Sequence, residues 1–419
     1  MFCLVDCNNF FVSCERVFNR RLEGRPVAVL SNNDGCVVAR SPEFKALGIP
    51  MGTPYFKLRP VERLYGLVFL SSNYELYADM SRRVMSLLRE ATPHMEQYSI
   101  DEAFLQMEFA NDTAAQAFAQ DLREKIRRWT GLPVGIGIAE TKTLAKVASK
   151  LAKSSGKGVY VMPEDPAESL REFPLEDVWG VGSRLCRRLH YQGLDTALQL
   201  ARQDALAVRH QYGVCLARTV MELNGHSAID LEEAEPPRKS ICYSKAFGMP
   251  ITTLTDLTEA FCAYASRAAE RLRDARQEAA GVCLFVQYMI PELDVHADGQ
   301  FNAAHVVFPH PTANTSEFRT LIVPTVPTLF RQGMRHRKCG VICFGLENAL
   351  VRQLELFSDG APPPPVPDTL YGTLDGINRR FGRDTVFTAA QGMTQPWAMQ
   401  RQRLSRRFTT SWEELLPVC

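Results

Sequence analysis

The chain has 419 residues, too many for one hydrophobic core, so its length predicts roughly two to four domains. Hydrophobic residues make up 46% and charged residues 23%, as in an ordinary globular protein. The formal net charge of +1 excludes a generally basic surface. An anionic partner would therefore have to contact a local patch.

The first predicted strand, residues 2–6, ends in an acidic residue. Four apolar residues precede Asp6, and Cys7, Asn8 and Asn9 follow it. Because polar residues interrupt the apolar run and no basic segment precedes it, we expect no signal peptide. No segment reaches the roughly 18 apolar residues of a membrane span, so we expect no membrane partner.

The cysteines indicate the redox environment. Twelve are present, mostly within apolar segments, and none forms a Cys-x-x-Cys pair. A nearby pair of histidines, which a mixed zinc site would need, is also missing from the pattern. We therefore expect reduced, buried thiols in a cytoplasmic protein and no zinc site.

A small subdomain is predicted to be inserted after the first strand. Two predicted strands, residues 25–31 and 36–39, lie on either side of a turn-forming segment rich in asparagine. A serine cap followed by proline then begins a short helix at Ser41, and this helix carries Lys45. A longer amphipathic helix, residues 71–92, should pack on the sheet that carries the first strand.

Asp101 and Glu102 lie side by side in a segment that otherwise has the pattern of a buried strand. Burying two like charges costs several kcal/mol unless cations compensate them. A solvated hairpin turn is the alternative, and these two residues alone support it equally well. Asp6 favours a metal site, because a third carboxylate at a strand end can converge with them on one sheet edge.

Four lysines recur on one predicted helix that begins after Thr141. Lys142, Lys146, Lys150 and Lys153 have the spacing of a single helix face, and no acidic residue alternates with them. A solvated charged face is the ordinary explanation, but such faces usually alternate in sign. We therefore expect four unpaired lysines that contact phosphates.

Residues 174–198 predict a compact helix-hairpin-helix. Gly180 and Gly182 form a Gly-x-Gly turn that places backbone N–H groups at a helix N-terminus, where a phosphate can bind. Gly-x-Gly alone is a weak pattern, but Arg184 and the leucines that follow strengthen it. We expect contact with the backbone of duplex DNA.

The C-terminal half begins with a polar linker, residues 231–239, followed by a predicted α+β domain at 240–350. Beyond it, Leu356 and Phe357 lie beside a run of prolines. An edge strand or closure of the core is one explanation, and docking of an exposed motif into a partner's groove is the other. The basic segment 379–407 suits an acidic partner, either nucleic acid or protein.

Three carboxylates on one sheet edge can hold two divalent ions that support in-line phosphoryl transfer. Oxygen ligands select a hard ion, so we expect two Mg²⁺ ions. Lysines would balance a triphosphate and the helix-hairpin-helix would hold a duplex, which indicates polymerisation of nucleotides on DNA. A palm-based cyclase or other nucleotidyltransferase and a non-catalytic DNA-bound scaffold are the alternatives.

The same residues carry a resemblance that extends over essentially the whole chain. The chain resembles the Y-family translesion DNA polymerases, and within that family the UmuC branch. The resemblance implies a DNA-directed DNA polymerase that copies damaged templates with errors, in SOS mutagenesis and DNA repair. The segments that carry it are Asp6, residues 8–11, 30–37, 71–81, 98–104, 141–146, 177–182 and 391–410.

The resemblance also implies roles for single residues. Asp6, Asp101 and Glu102 match the catalytic, metal-binding carboxylates, with the backbone carbonyl of Cys7 as a further ligand. Phe11 matches the steric gate that excludes the ribose 2′-hydroxyl, a position where many relatives have tyrosine. The other matched positions are Asn9, Phe10, Lys45 and Lys153 for the nucleotide, Gly180, Gly182 and Arg184 for DNA, and Gln353, Leu354, Leu356 and Phe357 for the sliding clamp.

Two positions depart from the wider family. Many members place a threonine and a tyrosine on the triphosphate where this chain has Ala39 and Pro42. Our hypothesis is that Arg40 or the lysines from Lys146 to Lys153 compensate for the two missing hydroxyls.

The implied architecture is a right-hand polymerase built from α/β and α+β domains. The predicted fingers, residues 12–75, are too small to close extensively over the base pair, so low fidelity is expected. The expected partners are primer-template DNA, deoxynucleoside triphosphates, the sliding clamp, a processed UmuD-like dimer and a recombinase filament. The predicted parts are the palm at 1–11 and 76–165, fingers at 12–75, thumb at 166–230, linker at 231–239, little finger at 240–350 and C-terminal tail at 351–419.

Overall fold

A computed structural model describes residues 1–233, 237–289, 300–351 and 368–416. The chain divides into two compact units, Met1–Glu235 with Gln402–Cys419, and Pro236–Arg401. The end of the chain therefore belongs to the first unit, although the residues before it belong to the second. No helix in the described ranges is both long enough and apolar enough to cross a membrane.

The first unit contains two sheets and a set of helices. Its strands are β1 (Phe2–Cys7), β2 (Val27–Leu30), β3 (Val37–Arg40), β4 (Val68–Ser71), β5 (Met95–Gln97), β6 (Glu102–Gln106), β7 (Val134–Ala139) and β8 (Val159–Val161). Its helices are α1 (Phe10–Phe18), α2 (Pro42–Ala46), α3 (Tyr55–Leu58), α4 (Tyr74–Ala91), α5 (Asp112–Thr130), α6 (Lys142–Ser154), α7 (Ala167–Arg171), α8 (Ser183–His190), α9 (Ala197–Ala201), α10 (Ala205–Tyr212) and α11 (Val214–Leu223).

The larger sheet has the strand order β5-β6-β1-β7-β8. Its central strand is β1, whose consecutive apolar residues Cys3, Leu4 and Val5 are all buried. A strand covered on both faces needs such a continuous apolar run. One face packs on α1, α4 and α5, and the other packs on α6 and the helices that follow it.

Helix α6 lies unusually close to the sheet. A Cβ atom at Gly137 of β7 would stand 2.5 Å from the carbonyl oxygen of Ala145, so only glycine fits there. The helix begins at an N-cap, Thr141, whose hydroxyl accepts a hydrogen bond from the Leu144 N–H at 3.3 Å. This close packing fixes the height of the lysine side chains relative to the strand ends.

The smaller sheet of the first unit has the order β3-β2-β4 and its own core around Leu30, Phe44 and Phe69. Helices α7–α11 form another layer, whose buried leucines pack against the outer face of α6. The α8 helix begins directly after Gly182.

The elements of the second unit are β9 (Ile241–Ile251), α12 (Leu254–Asp274), β10 (Gln277–Met289), β11 (Gln300–Thr312), α13 (Thr315–Ile322), α14 (Val326–Leu329), β12 (Arg335–Asn348) and α15 (Asp368–Phe381). Its four strands form an antiparallel sheet in the order β11-β10-β12-β9. Its α15 helix and the residues after it pack on α12, where Arg273 pairs with Asp375 at 2.7 Å and Trp397 is buried beside Tyr264. The predicted tail, 351–419, is thus divided between the two units.

Candidate active site

The three acidic residues singled out from the sequence meet at one edge of the larger sheet. Asp6 near the end of β1 pairs in register with Glu102, the first residue of β6. Asp101 immediately precedes β6, and its carbonyl oxygen accepts a hydrogen bond from the Cys7 N–H at 2.9 Å. Antiparallel pairing of neighbouring strands therefore brings residues about a hundred positions apart in sequence to the same edge.

Ser99 fixes the turn that carries two of these carboxylates. Its hydroxyl donates to Oδ1 of Asp101 at 2.7 Å and accepts from the backbone N–H groups of Asp101 and Glu102 at 3.2 and 3.0 Å. One hydroxyl thus uses its donor and both acceptor sites. The turn is hydrogen-bonded within the protein and is not the freely solvated hairpin considered as the alternative.

Lysines from α6 supply cations to two of these partly buried carboxylates. Lys153 forms an ion pair with Asp6, and Nζ of Lys146 lies 3.0 Å from Oε2 of Glu102. Burial raises the pKa of Asp6 to about 6, although the Lys153 ammonium favours the ionised form. The Lys146 ammonium also lies 4.2 Å from the centre of the Tyr98 ring, a favourable cation–π distance.

The prediction of an unpaired lysine face was wrong. Lys142 is buried, pairs with Glu96 and donates to the Asp230 carbonyl at 2.6 Å, while Lys150 pairs with Asp177. Together with the two pairs above, each of the four lysines has an acidic partner. Those acids come from distant parts of the chain, so the local absence of alternating acids carried no information about pairing.

Magnesium fits the oxygen-rich end of the sheet. Beside the three carboxylates, Oδ1 of Asn8 is buried and has no hydrogen-bond partner among the described residues. The Lys153 side chain lies against Gly135, where an added Cβ would stand 3.1 Å from Lys153 Cγ and 3.5 Å from Oδ1 of Asn8. Carboxylate and neutral oxygens are the ligands that a hard divalent ion prefers.

Phe11 of α1 and Tyr77 of α4 form a stacked aromatic pair. Their ring centres lie 4.4 Å apart with planes only 13° from parallel, and Tyr74 meets Phe11 edge-on at 6.1 Å. Asn9 allows the chain to turn sharply from β1 into α1, with a φ of 48° that asparagine tolerates better than most residues. Phe11 is half-buried, whereas Phe10 belongs to the core.

Basic side chains from β3 and α2, Arg40 and Lys45, lie within electrostatic reach of Lys153 on α6. Desolvation together with the nearby Arg40 and Lys153 cations lowers the pKa of Lys45, which places three positive charges within electrostatic reach of one another. Arg40 donates to the Ile49 carbonyl at 2.6 Å, and its buried Nε has no hydrogen-bond partner among the described residues. Such a cluster attracts a polyanion such as a triphosphate.

The predicted DNA contacts lie at the start of α8. Gly180 has a φ of 87°, in the left-handed region that favours glycine, and Gly182 is the residue before the helix. The cap makes no side-chain hydrogen bond, so no side chain covers the first-turn N–H groups in that way. Arg184 is exposed on the first turn.

The predicted clamp motif, Gln353, Leu354, Leu356 and Phe357, lies outside the described residues.

Two supporting residues escaped the sequence analysis. Gly135 makes room for the Lys153 side chain, and Glu15, which is buried on α1, accepts a hydrogen bond from the Tyr77 hydroxyl at 2.7 Å. Its position in the apolar segment 133–139 was the available signal for Gly135. A charged residue on the apolar face of α1 was the signal for Glu15.

The fold defines the class of protein. The chain is similar to a Y-family DNA polymerase chimera of Dbh and Dpo4, with a TM-score of 0.66 and 20% identity over 82% of this chain and 98% of that one. It is also similar to Dbh DNA polymerase in an insertion ternary complex, with a TM-score of 0.53 and 21% identity over 83% and 98% of the two chains. These similarities confirm the predicted right-hand polymerase fold.

Sequence comparison identifies the family. The impB/mucB/samB family matches residues 5–150, its C-terminal domain matches 238–356, and a domain of unknown function matches 368–418. Protein UmuC of Salmonella typhimurium is 42% identical over the full length of both chains, and Protein MucB of Escherichia coli is 40% identical over 99% of both. The chain belongs to the impB/mucB/samB family, and its predicted similarity to UmuC is confirmed.

Proposed function

We propose that this chain is an error-prone translesion DNA polymerase of the UmuC type, which adds deoxynucleotides opposite damaged template bases. The observation that carries the proposal is the convergence of Asp6, Asp101 and Glu102 at one sheet edge. That edge lies beside the cations of Lys45, Arg40 and Lys153, which suit the triphosphate. Membership of a family that includes UmuC and MucB supports the same function.

The three carboxylates and the Cys7 carbonyl would hold two Mg²⁺ ions, which supply nucleophile activation and charge stabilisation for in-line phosphoryl transfer. Ser99 keeps the Asp101 carboxylate oriented toward that edge. Lys153 and Lys45 bind the triphosphate, and Arg40 compensates for the hydroxyls that Ala39 and Pro42 do not offer.

Phe11 acts as the steric gate against ribonucleotides. Its ring rests on the buried Tyr77 ring and has little freedom to move away from a 2′-hydroxyl. Asn9 shapes the turn that presents this ring, and Phe10 anchors the same turn in the core. Nucleotide selection therefore depends on a rigid aromatic surface.

Gly180, Gly182 and Arg184 contact the phosphates of the primer-template duplex without reading its sequence. The fingers, residues 12–75, contain only short strands and helices, which favours tolerance of distorted base pairs. Gln353, Leu354, Leu356 and Phe357 bind the sliding clamp, and a processed UmuD-like dimer and a recombinase filament are further partners. The cytoplasmic location stays a prediction.

Primer extension with magnesium tests the proposal. The wild-type chain should extend a primer on undamaged and damaged templates, and Asp101→Asn should abolish extension while DNA binding persists. Equal extension by both would refute the metal site. DNA binding without extension by either would favour the scaffold, and magnesium-dependent nucleotide turnover that needs no primer-template would favour a cyclase-like enzyme.

A second assay tests the gate. Phe11→Ala should incorporate ribonucleotides more readily, by at least about tenfold relative to deoxynucleotides, because the ring that opposes the 2′-hydroxyl is removed. Phe11→Tyr, which keeps the ring, is the matched control. Equal discrimination by Phe11→Ala and wild type would refute the gate assignment.

A further inference from the structure

Residues Gln402–Phe408, here called the C-terminal strap, run across the first unit. Exposure alternates along the strap, so that Arg403 and Ser405 are half-buried while Leu404 and Arg406 are exposed. This two-residue alternation is that of an extended strand with one face on the protein. The strap belongs to the domain of unknown function matched at 368–418.

The strap holds the smaller sheet through its backbone. The Arg403 N–H donates to Oγ of Ser71 at 2.9 Å, and the Ser71 N–H donates to the Arg403 carbonyl at 3.0 Å. The Gln402 N–H donates to Asp34 at 3.0 Å, in a turn where Asp34 has a left-handed φ of 51°. The Arg403 guanidinium pairs with Glu62 at 2.8 Å.

The strap also holds the start of α4. The Asn73 side-chain oxygen caps this helix by accepting from the Leu76 N–H at 3.3 Å. Its amide nitrogen donates to Oγ of Ser405 at 2.9 Å and to the Arg406 carbonyl at 3.2 Å. Because the strap occupies the amide donors, it orients the oxygen toward the helix.

Ser405 continues this chain of hydrogen bonds to the gate. Its hydroxyl donates to Oε1 of the buried Glu15 at 3.0 Å, and the Tyr77 hydroxyl donates to the same oxygen at 2.7 Å. The Tyr77 ring is the surface on which Phe11 stacks. The strap makes a second contact with α1, the helix that carries Glu15 and Phe11. Phe408 stacks on Phe18 of this helix with ring centres 4.9 Å apart.

We propose that the C-terminal strap positions the Phe11 ring for discrimination against ribose, with Ser405 as the positioning residue that acts through Glu15 and Tyr77. The proposal rests on the proposed role of Phe11 as the steric gate. It gives a function to the last part of the domain matched at 368–418. A partner that displaced the strap would alter sugar selection without contacting the nucleotide.

The effect of Ser405 on the position of Phe11 follows from the burial of Glu15. This carboxylate accepts hydrogen bonds from two hydroxyls in place of a cation, so loss of the Ser405 hydroxyl leaves a buried charge with less stabilisation. Tyr77 must shift to compensate, and Phe11 shifts with it. Sub-ångström displacements at a reacting site change rates substantially.

The test measures kcat/KM for deoxynucleotides and ribonucleotides in full-length variants. Ser405→Ala should lower the ratio of kcat/KM for deoxynucleotides to kcat/KM for ribonucleotides by about two- to tenfold, mainly because ribonucleotides are used more efficiently. This is the range expected for the loss of one hydrogen bond. Leu404→Ala, which truncates an exposed neighbour on the strap, should leave the ratio unchanged. Ser405→Thr keeps a hydroxyl and should restore it.

A double variant tests the route through Glu15. Tyr77→Phe keeps the stacked ring but removes its hydroxyl, so it should lower the ratio as Ser405→Ala does. The two changes together should have less than the product of their separate effects, because both interrupt one chain of contacts. Fully multiplicative effects would overturn the proposed route.

Phe11→Ala separates failure of this proposal from failure of the gate. If Phe11→Ala relaxes discrimination while Ser405→Ala does not, the strap proposal is wrong and the gate stands. If neither changes discrimination, the gate assignment fails and the strap proposal fails with it.

Hydrogen exchange gives a readout that does not need catalysis. The amides of Leu76 and Tyr77 should exchange faster in Ser405→Ala than in Leu404→Ala, because the Asn73 cap loses a hydrogen-bond partner. Equal exchange in the two variants would overturn the link between the strap and α4.

Discussion

The carboxylates that pair with the lysines of α6 and the buried carboxylate of Glu15 are stabilised differently. Asp6 and Glu102, which are partly buried, each pair with a lysine of α6. Glu15 instead accepts hydrogen bonds from two neutral hydroxyls, those of Tyr77 and Ser405. The lysine-paired carboxylates lie at the sheet edge proposed to bind metal ions, whereas Glu15 connects α1 to α4 and to the C-terminal strap.

Removing a carboxylate that pairs with a lysine of α6 should have the largest effect on primer extension. Asp6→Asn should lower primer extension by at least about a thousandfold, because several kcal/mol of metal-dependent stabilisation of the transition state are lost. Steady-state extension measures the change. Glu124→Gln, an exposed acid on α5, is the control and should retain activity. An Asp6→Asn activity within tenfold of wild type would contradict the comparison.

The buried ion pair between Lys142 of α6 and Glu96 of β5 should have a large effect on stability. Lys142→Met leaves Glu96 buried without its cation and should lower the free energy of unfolding by about 3–5 kcal/mol. Lys150→Met breaks a pair whose lysine side chain is 48% exposed, and should cost less than about 1 kcal/mol. Urea unfolding measures both. Similar losses in the two variants would show that burial does not separate them.

Replacing Glu15 with an apolar residue should also lower the free energy of unfolding, but by less than Lys142→Met does. Glu15→Leu leaves the Tyr77 and Ser405 hydroxyls without their acceptor and should lower stability by about 1–3 kcal/mol. Adding Tyr77→Phe removes one of those unpaired groups and should recover part of the loss. If the double variant is less stable than Glu15→Leu by the full effect of Tyr77→Phe alone, the two residues are not coupled.

The smallest expected effect is on pH dependence. Burial raises the pKa of Glu15 above its ordinary value of 4.5, so the folded chain holds this proton to a higher pH than the unfolded chain. Its contribution is fully present below the ordinary value and falls as the pH rises through the folded-state pKa. The stability advantage of wild type over Glu15→Gln, measured by urea unfolding, should therefore shrink as the pH rises above the ordinary value of 4.5. An advantage that grows with pH would contradict this.

The meeting of the three carboxylates at one sheet edge could be predicted because each follows from a local pattern. Asp6 ends an apolar strand, and the adjacent pair Asp101 and Glu102 interrupts another, so strand pairing alone could bring them together. The lysine face was predicted as a face but not as a set of ion pairs. Its partners Glu96 and Asp177 lie far away in the sequence and are brought near only by packing.

The C-terminal strap shows the same limit more sharply. Its sequence is basic and has no strong periodicity, which favoured a partner-binding tail. The structure pairs Arg403 with Glu62, and the Ser405 hydroxyl donates a hydrogen bond to Glu15. Contacts between residues more than three hundred positions apart leave no local signal in a single sequence.

The sequence by itself determined the strands, the helix caps, the acidic residues and the family resemblance, because these depend on residues near one another or on long matching segments. Tertiary structure decided which cation neutralises each carboxylate, where the end of the chain lies, and what supports Phe11. Those outcomes depend on close packing, as at Gly135 and Gly137, where the absence of a side chain lets α6 approach the sheet and Lys153 reach Asp6. A local pattern specifies an element, but only packing specifies its neighbours.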